Sequence, residues 1–164
     1  MTTKEALDAI IPSYERYYNI ITENVKEPFD MEAWFISHNE QYFLVKAAKV
    51  DDVDSNEYVF FKTIDHLSLE EYERLCDISW EEGISRVKPY LGHKNTDVSL
   101  VIFADRIDNN CFEAVKKTRR YRSYSFSFKG YSNFKVVAVE LKLKRFATNR
   151  QGRILKQMFM RYTK

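Results

Sequence analysis

The residues best suited to chemistry in this sequence are cations and aromatic rings gathered into one stretch. Residues 116–135 hold no acidic residue, and five cations follow one another closely there: Lys116, Lys117, Arg119, Arg120 and Arg122. Lysine and arginine contact phosphates, and exposed rings stack on unpaired bases. The stretch therefore predicts a surface that contacts nucleic acid, with these five cations on phosphates.

The rings of the same stretch follow a pattern that favours another role. Tyr124, Phe126 and Phe128 alternate with serines, and a period of two is typical of a strand with one face on the core. We therefore expect these three rings to face the core. The cations come at the end of a predicted helix, where the dipole stabilises each by only ~0.3–1 kcal/mol, too little to explain five. The binding hypothesis thus depends on the cations.

The charge of the chain is divided unevenly along its length. Residues 1–115 hold 11 cations and 23 acids, whereas residues 116–164 hold 15 cations and a single acid, Glu140. The acidic part therefore carries a formal charge of −12 and the basic part +14, although the whole chain carries +2. Such asymmetry predicts an interaction surface. Its partner is either nucleic acid, another acidic protein surface, or the acidic part of this protein, within one copy or between copies.

One carboxylate and one lysine have a spacing that suits metal-assisted hydrolysis. Glu140 and Lys142 lie two residues apart in "VVAVELKLK", so on a strand they share a face. A hydrophobic strand that ends in Glu-x-Lys resembles the last part of the PD-(D/E)xK nuclease signature. That resemblance implies a carboxylate on a divalent metal, a lysine near the attacking water, and an upstream aspartate, here Asp105 or Asp108. The sequence lacks the Pro-Asp of the signature, and the alternative interpretation is an exposed strand face with one ion pair.

A weaker likeness concerns the order of elements in the first half of the chain. The order α-β-β-β-α-β resembles the core of restriction-endonuclease-like folds. In that arrangement Asp51 or Asp52 and Glu57 would be the carboxylates. No lysine follows Glu57 at two residues, so the resemblance implies a degenerate active site.

Other kinds of site find little support in the sequence. The three histidines are scattered, and four glycines are too few for a phosphate-binding loop or a dinucleotide site. Neither a cofactor nor a metal is expected, and the sequence favours a non-enzymatic role while leaving an enzyme open as the alternative. Cys76 and Cys111 lie outside any motif and are predicted to be reduced, buried thiols. Without a signal-peptide pattern or a membrane-spanning apolar run, the chain is expected to be soluble and cytoplasmic.

The periodicity of apolar residues predicts an α+β fold in one domain over residues 1–164. Helices are predicted at about 3–25, 68–90 and 110–120, with capping residues at Thr2 or Thr3, Ser68 and Asn110. The predicted strands are "MEAWFIS", "QYFLVKAAKV", "YVFFKTI", "DVSLVIFA", "YRSYSFSF", "FKVVAVELKLKR" and a last one after residue 152, with a short helix as the alternative there. The sheet is expected to be mixed, mostly antiparallel, with the order α-β-β-β-α-β-α-β-β-β.

Three segments resemble a family of uncharacterised bacterial proteins, mostly from clostridia and their relatives. They are "YFLVKAAKV", "SNEYVFFKTIDHLSLEEYE" and "SFKGYSNFKVVAVEL", and the likeness covers the chain from Pro28 onward. The resemblance implies a stand-alone cytosolic protein and brings no activity, cofactor or site residue. The function therefore stays open at this point. The first hypothesis is a non-enzymatic domain that contacts nucleic acid, and the alternatives are a self-assembling or protein-interaction domain and a metal-dependent nuclease using Asp105, Glu140 and Lys142.

Overall fold

The computed structural model describes residues 1–36, 54–88, 93–126 and 128–164. The strands are β1 (Asn19–Ile21), β2 (Met31–Phe35), β3 (Asp54–Leu67), β4 (His93–Ile107), β5 (Tyr121–Ser123), β6 (Tyr131–Glu140) and β7 (Arg145–Thr148). The helices are α1 (Thr3–Glu15), α2 (Leu69–Ser85), α3 (Asn109–Lys117) and α4 (Lys156–Phe159), with 3₁₀ turns at Gln151–Leu155 and Met160–Thr163. The predicted strand "QYFLVKAAKV" lies outside the described residues.

The seven strands join one mixed sheet. Their order is β1-β2-β3-β4-β6-β5, and β7 pairs with the second half of β6. The central strands β3, β4 and β6 are parallel, whereas the other four pairings are antiparallel. Central strands buried on both faces need nearly continuous apolar sequences, and "SLVIFA" and "FKVVAV" supply them. The predicted fold class, α+β with a mixed and mostly antiparallel sheet, is confirmed.

Helices cover both faces of the sheet. The α2 face, under α2 and α3, buries residues such as Phe60, Leu100 and Val136. The α1 face, under α1 and α4, buries their neighbours along the strands, such as Phe61 and Val137. Helix α2 packs very closely on β4, because a Cβ at Gly83 would overlap the Val98 side chain.

The predicted starts of the first two helices are correct, and their predicted ends are too late. The Thr2 hydroxyl and the Glu5 carboxylate form a capping box at α1, and the Ser68 hydroxyl accepts from the Glu71 N–H at α2. Helix α1 keeps Pro12 within it and ends at Glu15, because residues 19–21 pair with β2 instead of continuing the helix. Helix α2 ends at Ser85.

The last third of the chain differs more from the prediction. Helix α3 begins after Asp108, so Asn110 is inside the helix and does not cap it. The predicted strand "FKVVAVELKLKR" is two strands, because the chain turns at residues 141–144 with Lys144 in a left-handed conformation at φ 52°. The strand predicted after residue 152 is wrong, and the short-helix alternative is the observed structure.

Both cysteines are free and buried, as predicted. Burial raises the pKa of the Cys76 thiol to about 11 and that of Cys111 to about 12, so both are protonated at neutral pH. Within the described ranges, no helix is long and apolar enough to cross a membrane.

Candidate functional site

The aromatic rings between β5 and β6 lie on the surface. Strand β5 ends at Ser123, and Ser125 and Phe126 adopt left-handed backbone conformations with φ 50° and 53°. The predicted alternation stops there, so Phe126 is 95% exposed and Phe128 is 76% exposed. The prediction that these two rings face the core is therefore wrong. Tyr124 is half-buried, and its hydroxyl lies 3.0 Å from the Ser132 hydroxyl.

Backbone hydrogen bonds close this segment, residues 121–131, which we call the ring hairpin. The Tyr124 N–H donates to the Gly130 carbonyl at 2.9 Å, and the Lys129 N–H donates to the Tyr124 carbonyl at 3.1 Å. The Phe128 N–H donates to the Ser125 carbonyl at 3.1 Å. The two exposed rings are thus attached to a closed turn.

The five predicted phosphate-binding cations differ in how they are engaged. Lys116 pairs with Glu113 at 3.1 Å. Arg120 pairs with Asp77 at 2.6 Å and lies over the Phe134 ring, at 5.8 Å from its centroid. The Arg122 guanidinium lies 5.9 Å from the Tyr124 ring centroid, and Arg122 is exposed. The remaining two, Lys117 and Arg119, are exposed and form no ion pair within the described residues.

A buried ion-pair cluster links the basic part of the chain to the acidic part. The Lys135 ammonium lies 3.0 Å from Asp97 and 3.6 Å from Glu57. Glu57 also accepts hydrogen bonds of 2.6 Å from the hydroxyls of Tyr18 and Ser99. Burial alone lowers the pKa of Lys135, but the two carboxylates outweigh it and hold that pKa above its usual value. The lysine is therefore protonated and serves as a counter-ion.

Little in the sequence indicates this cluster, because its members come from β3, β4, β6 and the turn between α1 and β1 and share no local motif. Its only signal was Glu57, considered as a carboxylate of a degenerate nuclease site. In the structure Lys135 occupies the position beside Glu57, while Asp51 and Asp52 lie outside the described residues. Burial raises the pKa of Tyr18 well above its usual value, and the negative charge of Glu57 raises it further. The phenol is therefore neutral.

Of the three weak nuclease candidates, Glu140 faces the other side of the sheet from Asp105, whereas the Lys142 N–H donates to the Asp105 carbonyl at 3.2 Å. Glu140 is fully buried, and it accepts from the Ile107 N–H at 2.8 Å and from Arg145 Nε at 2.6 Å. Ala104 is aligned with Glu140 and lies on the α2 face, so the exposed Asp105 side chain is directed to the other face.

The third candidate, Lys142, does not share a strand face with Glu140. Strand β6 ends at Glu140, and Lys142 is exposed in the following turn. The spacing argument required a continuous strand, so its geometric premise fails. Within the part of the chain that the structure describes, no three histidine, cysteine or acidic side chains are placed to hold a metal ion.

Comparison with known sequences assigns the chain to a family. The model of a domain of unknown function, DUF8052, matches residues 2–161. The chain belongs to this family. The DUF8052 match spans nearly the whole chain and confirms the predicted resemblance to a family without an assigned function. No curated protein and no solved structure matches the chain.

Proposed function

We propose that this protein binds single-stranded nucleic acid through the ring hairpin and the cations that precede it. The observation that carries the proposal is the exposure of Phe126 and Phe128 next to a run of arginines and lysines. The role is that of a binding protein. A cytoplasmic location is part of the proposal and is supported by two buried free thiols, which are typical of reducing compartments.

The exposed rings work against the stability of the fold. Burying a phenylalanine stabilises the folded state by about 1.5–3 kcal/mol, and neither Phe126 nor Phe128 makes that contribution. The left-handed backbone of Phe126 adds a cost of roughly 1–2 kcal/mol. Such an outlier, together with exposed apolar surface, is typical of a contact site.

The surrounding charge indicates an anionic partner. Lys117, Arg119 and Arg122 are exposed and are not engaged by acids within the described residues. The only acidic side chain of residues 116–164 is Glu140, which is buried and bonded to Arg145. The basic part therefore presents cations to solvent without acidic side chains of its own. Phosphates suit the cations, and unpaired bases suit the rings.

The proposal is tested with fluorescently labelled 12-nucleotide single strands of mixed sequence, as DNA and as RNA, by anisotropy at increasing salt. We expect binding at low salt that weakens as salt rises, with a log–log slope of roughly −0.7 per phosphate contact. Stacking contributes about 1–3 kcal/mol per base, so the double variant Phe126→Ala/Phe128→Ala should weaken binding at least about tenfold. Leu143→Ala/Ile154→Ala removes two other exposed apolar side chains and should change affinity less than about twofold.

The cations have their own variants in the same assay. Arg119→Gln/Arg122→Gln should reduce the magnitude of the salt slope by about 1.4, whereas Arg150→Gln/Lys156→Gln at other exposed positions should leave it nearly unchanged. Absence of binding to both DNA and RNA at low salt would overturn the proposal. Equal affinity for duplex DNA, with no effect of the ring variant, would overturn the role of the rings and leave a phosphate contact alone.

A further inference from the structure

An open cavity of about 680 Å³ lies between α3, the start of β7 and the C-terminal turn. It is lined by Asn109, Phe112, Glu113, Lys116, Lys144, Arg145, Phe146 and Thr163. Its volume falls within the range of about 300–1,000 Å³ that is typical of small-molecule sites. A smaller cavity of about 450 Å³ adjoins it and shares Asn109 and Arg145.

The arginine in this cavity is fixed by contacts on three sides. Its Nε donates to the buried Glu140 carboxylate at 2.6 Å, and its Nη1 donates to Asn109 Oδ1 at 3.3 Å. The guanidinium lies over the Phe112 ring, at 4.6 Å from the centroid. Among the described residues its Nη2 has no hydrogen-bond partner, and the Arg145 side chain is 41% exposed. A fixed guanidinium with a free donor is well prepared to bind an anion, because little freedom is lost on contact.

The charge around the cavity suits an anion. Lys116, Lys144 and Arg145 are opposed by the lining carboxylate Glu113 and by the buried Glu140 behind Arg145, so the cations exceed the carboxylates by one. A phosphate monoester carries about −1.5 to −2 at neutral pH. Lys144 donates to the Lys164 carbonyl at 3.0 Å, and Lys116 contacts Glu113, so both lining amines are held by neighbouring groups.

The position of the cavity in the fold supports the same ligand. Parallel strands β4 and β6 end beside it, and ligands of open sheets bind outside the carboxyl ends of parallel strands. Helix α3 also begins here. The Asp108 carboxylate bonds to His66 at 2.7 Å and does not cap α3, so among the described residues the N–H groups of Asn109 and Asn110 have no side-chain acceptor, while those of Cys111 and Phe112 donate to the Asp108 carbonyl.

We propose that this cavity binds a phosphate monoester of a small organic molecule, with Arg145 as the main contact. Glu140 is its positioning residue, because the buried carboxylate fixes the guanidinium and does not reach the cavity as a free group. The site is separate from the ring hairpin, so either proposal can fail without the other.

The test uses calorimetric titration of the full chain at constant ionic strength with adenosine 5′-monophosphate, inorganic phosphate and adenosine. We expect the two phosphates to bind and adenosine not to bind. Arg145→Ala should weaken the monophosphate at least tenfold. The matched control Arg153→Ala removes an exposed arginine outside the cavity and should change affinity less than twofold.

The positioning role of Glu140 has a separate readout. Glu140→Gln should weaken the monophosphate severalfold, and it should cause no further loss in the Arg145→Ala background. Additive losses in that double variant would overturn the positioning role. Arg145→Lys keeps the charge and loses the planar fork, so it should not restore affinity.

The source of the monoester is separated by a second arm, in which an oligonucleotide carries either a 5′-phosphate or a 5′-hydroxyl. A preference for the 5′-phosphate without binding of the free monophosphate would overturn the small-molecule ligand and assign the site to strand ends. The proposal is overturned if adenosine 5′-monophosphate binds no better than adenosine and the 5′-phosphate strand binds no better than the 5′-hydroxyl strand. It is also overturned if Arg145→Ala and Arg153→Ala weaken binding equally.

Discussion

At the scale of single residues, three deeply buried glutamates each have a cation of their own. Glu32 contacts Arg86, Glu57 contacts Lys135, and Glu140 contacts Arg145. Burying a carboxylate is expensive unless a cation and hydrogen bonds compensate it, so breaking any of these pairs should lower stability. Exposure separates them: the Lys135 side chain is 15% exposed and the Arg145 side chain is 41% exposed. Arg145 also lines a cavity of about 680 Å³.

The Lys135 cluster leads to a stability prediction. Lys135→Met keeps the length of the side chain but leaves Glu57 and Asp97 without their cation. Removing one partner of a buried ion pair costs about 3–5 kcal/mol, and we expect a loss of that size in the free energy of unfolding from urea denaturation. Adding Asp97→Asn to Lys135→Met removes one uncompensated charge and should restore part of the loss.

The control for this prediction is Lys156→Met, which removes an exposed lysine from α4 and should stay within about 0.5 kcal/mol of the original protein. If Lys135→Met lay within the same range, the cluster would contribute no net stability and the buried carboxylates would be solvated by other means.

At the scale of elements, local chemistry predicted where helices begin, and tertiary pairing decided where they end. Thr2 and Ser68 satisfy N–H groups within their own first turns, so the sequence shows them directly. The end of α1 depends on β1 pairing with β2, which no local pattern reveals. In the ring hairpin, the alternation of serine and ring was strand-like, but consecutive left-handed residues at Ser125 and Phe126 end it.

The candidate sites were predictable to a similar degree. The cations of residues 116–122 could be named from composition, and Glu140 stood out as the only acid of the basic part. The partner of Glu140 could not be named, because "VELKLKR" fits one continuous strand. The turn at residues 141–144 places Arg145 opposite Glu140 in the β6–β7 pairing, and that register is a tertiary fact. The cluster around Lys135 joins three strands and the turn before β1, and it was missed for the same reason.

The ring hairpin gives an element-scale prediction in which stability and binding separate. Ser125→Gly removes the Cβ from a left-handed residue and keeps both rings, so we expect about 1 kcal/mol more stability with unchanged affinity for single strands. Phe126→Gly relieves the same kind of cost but removes a ring, so stability should rise while affinity falls. Thermal unfolding and anisotropy measure the two quantities on the same samples.

Phe126→Ala is the matched control, because alanine keeps a Cβ in the left-handed conformation. It should lose affinity as Phe126→Gly does, without the gain in stability. A loss of stability in Phe126→Gly would mean that the ring makes stabilising contacts, contrary to its exposure.

At the scale of the whole molecule, the two ends of the chain meet on the α1 face. The Tyr162 hydroxyl donates to the Ala6 carbonyl at 3.0 Å, and the Phe159 and Tyr162 rings pack on Phe103 of the central strand β4. Ion pairs also cross the charge division, from Arg120 to Asp77 and from Lys135 to Glu57 and Asp97. The acidic and basic parts therefore share one sheet and one set of contacts. That one domain extends over residues 1–164 stays a prediction.

Phe159→Ala tests this prediction of a single domain. Phe159 is fully buried on the α1 face, whereas both tryptophans contact residues on the α2 face: Trp34 lies 6.0 Å from Tyr58 and Trp80 lies 5.6 Å from Phe134, between ring centroids. The loss of a buried phenylalanine ring costs about 3–5 kcal/mol. In one cooperative unit, tryptophan fluorescence on the far face must report that whole loss.

We therefore expect coincident urea transitions by fluorescence and far-UV circular dichroism, both shifted to lower urea in Phe159→Ala. Ile154→Ala, at a position 76% exposed in the same C-terminal segment, should shift neither by more than about 0.5 kcal/mol. Two separate transitions, with the fluorescence midpoint unchanged in Phe159→Ala, would show that the C-terminal segment and α1 unfold apart from the rest. Because the sheet lies between Phe159 and the two tryptophans, a shift of the fluorescence transition requires that the sheet transmit the loss from one face to the other.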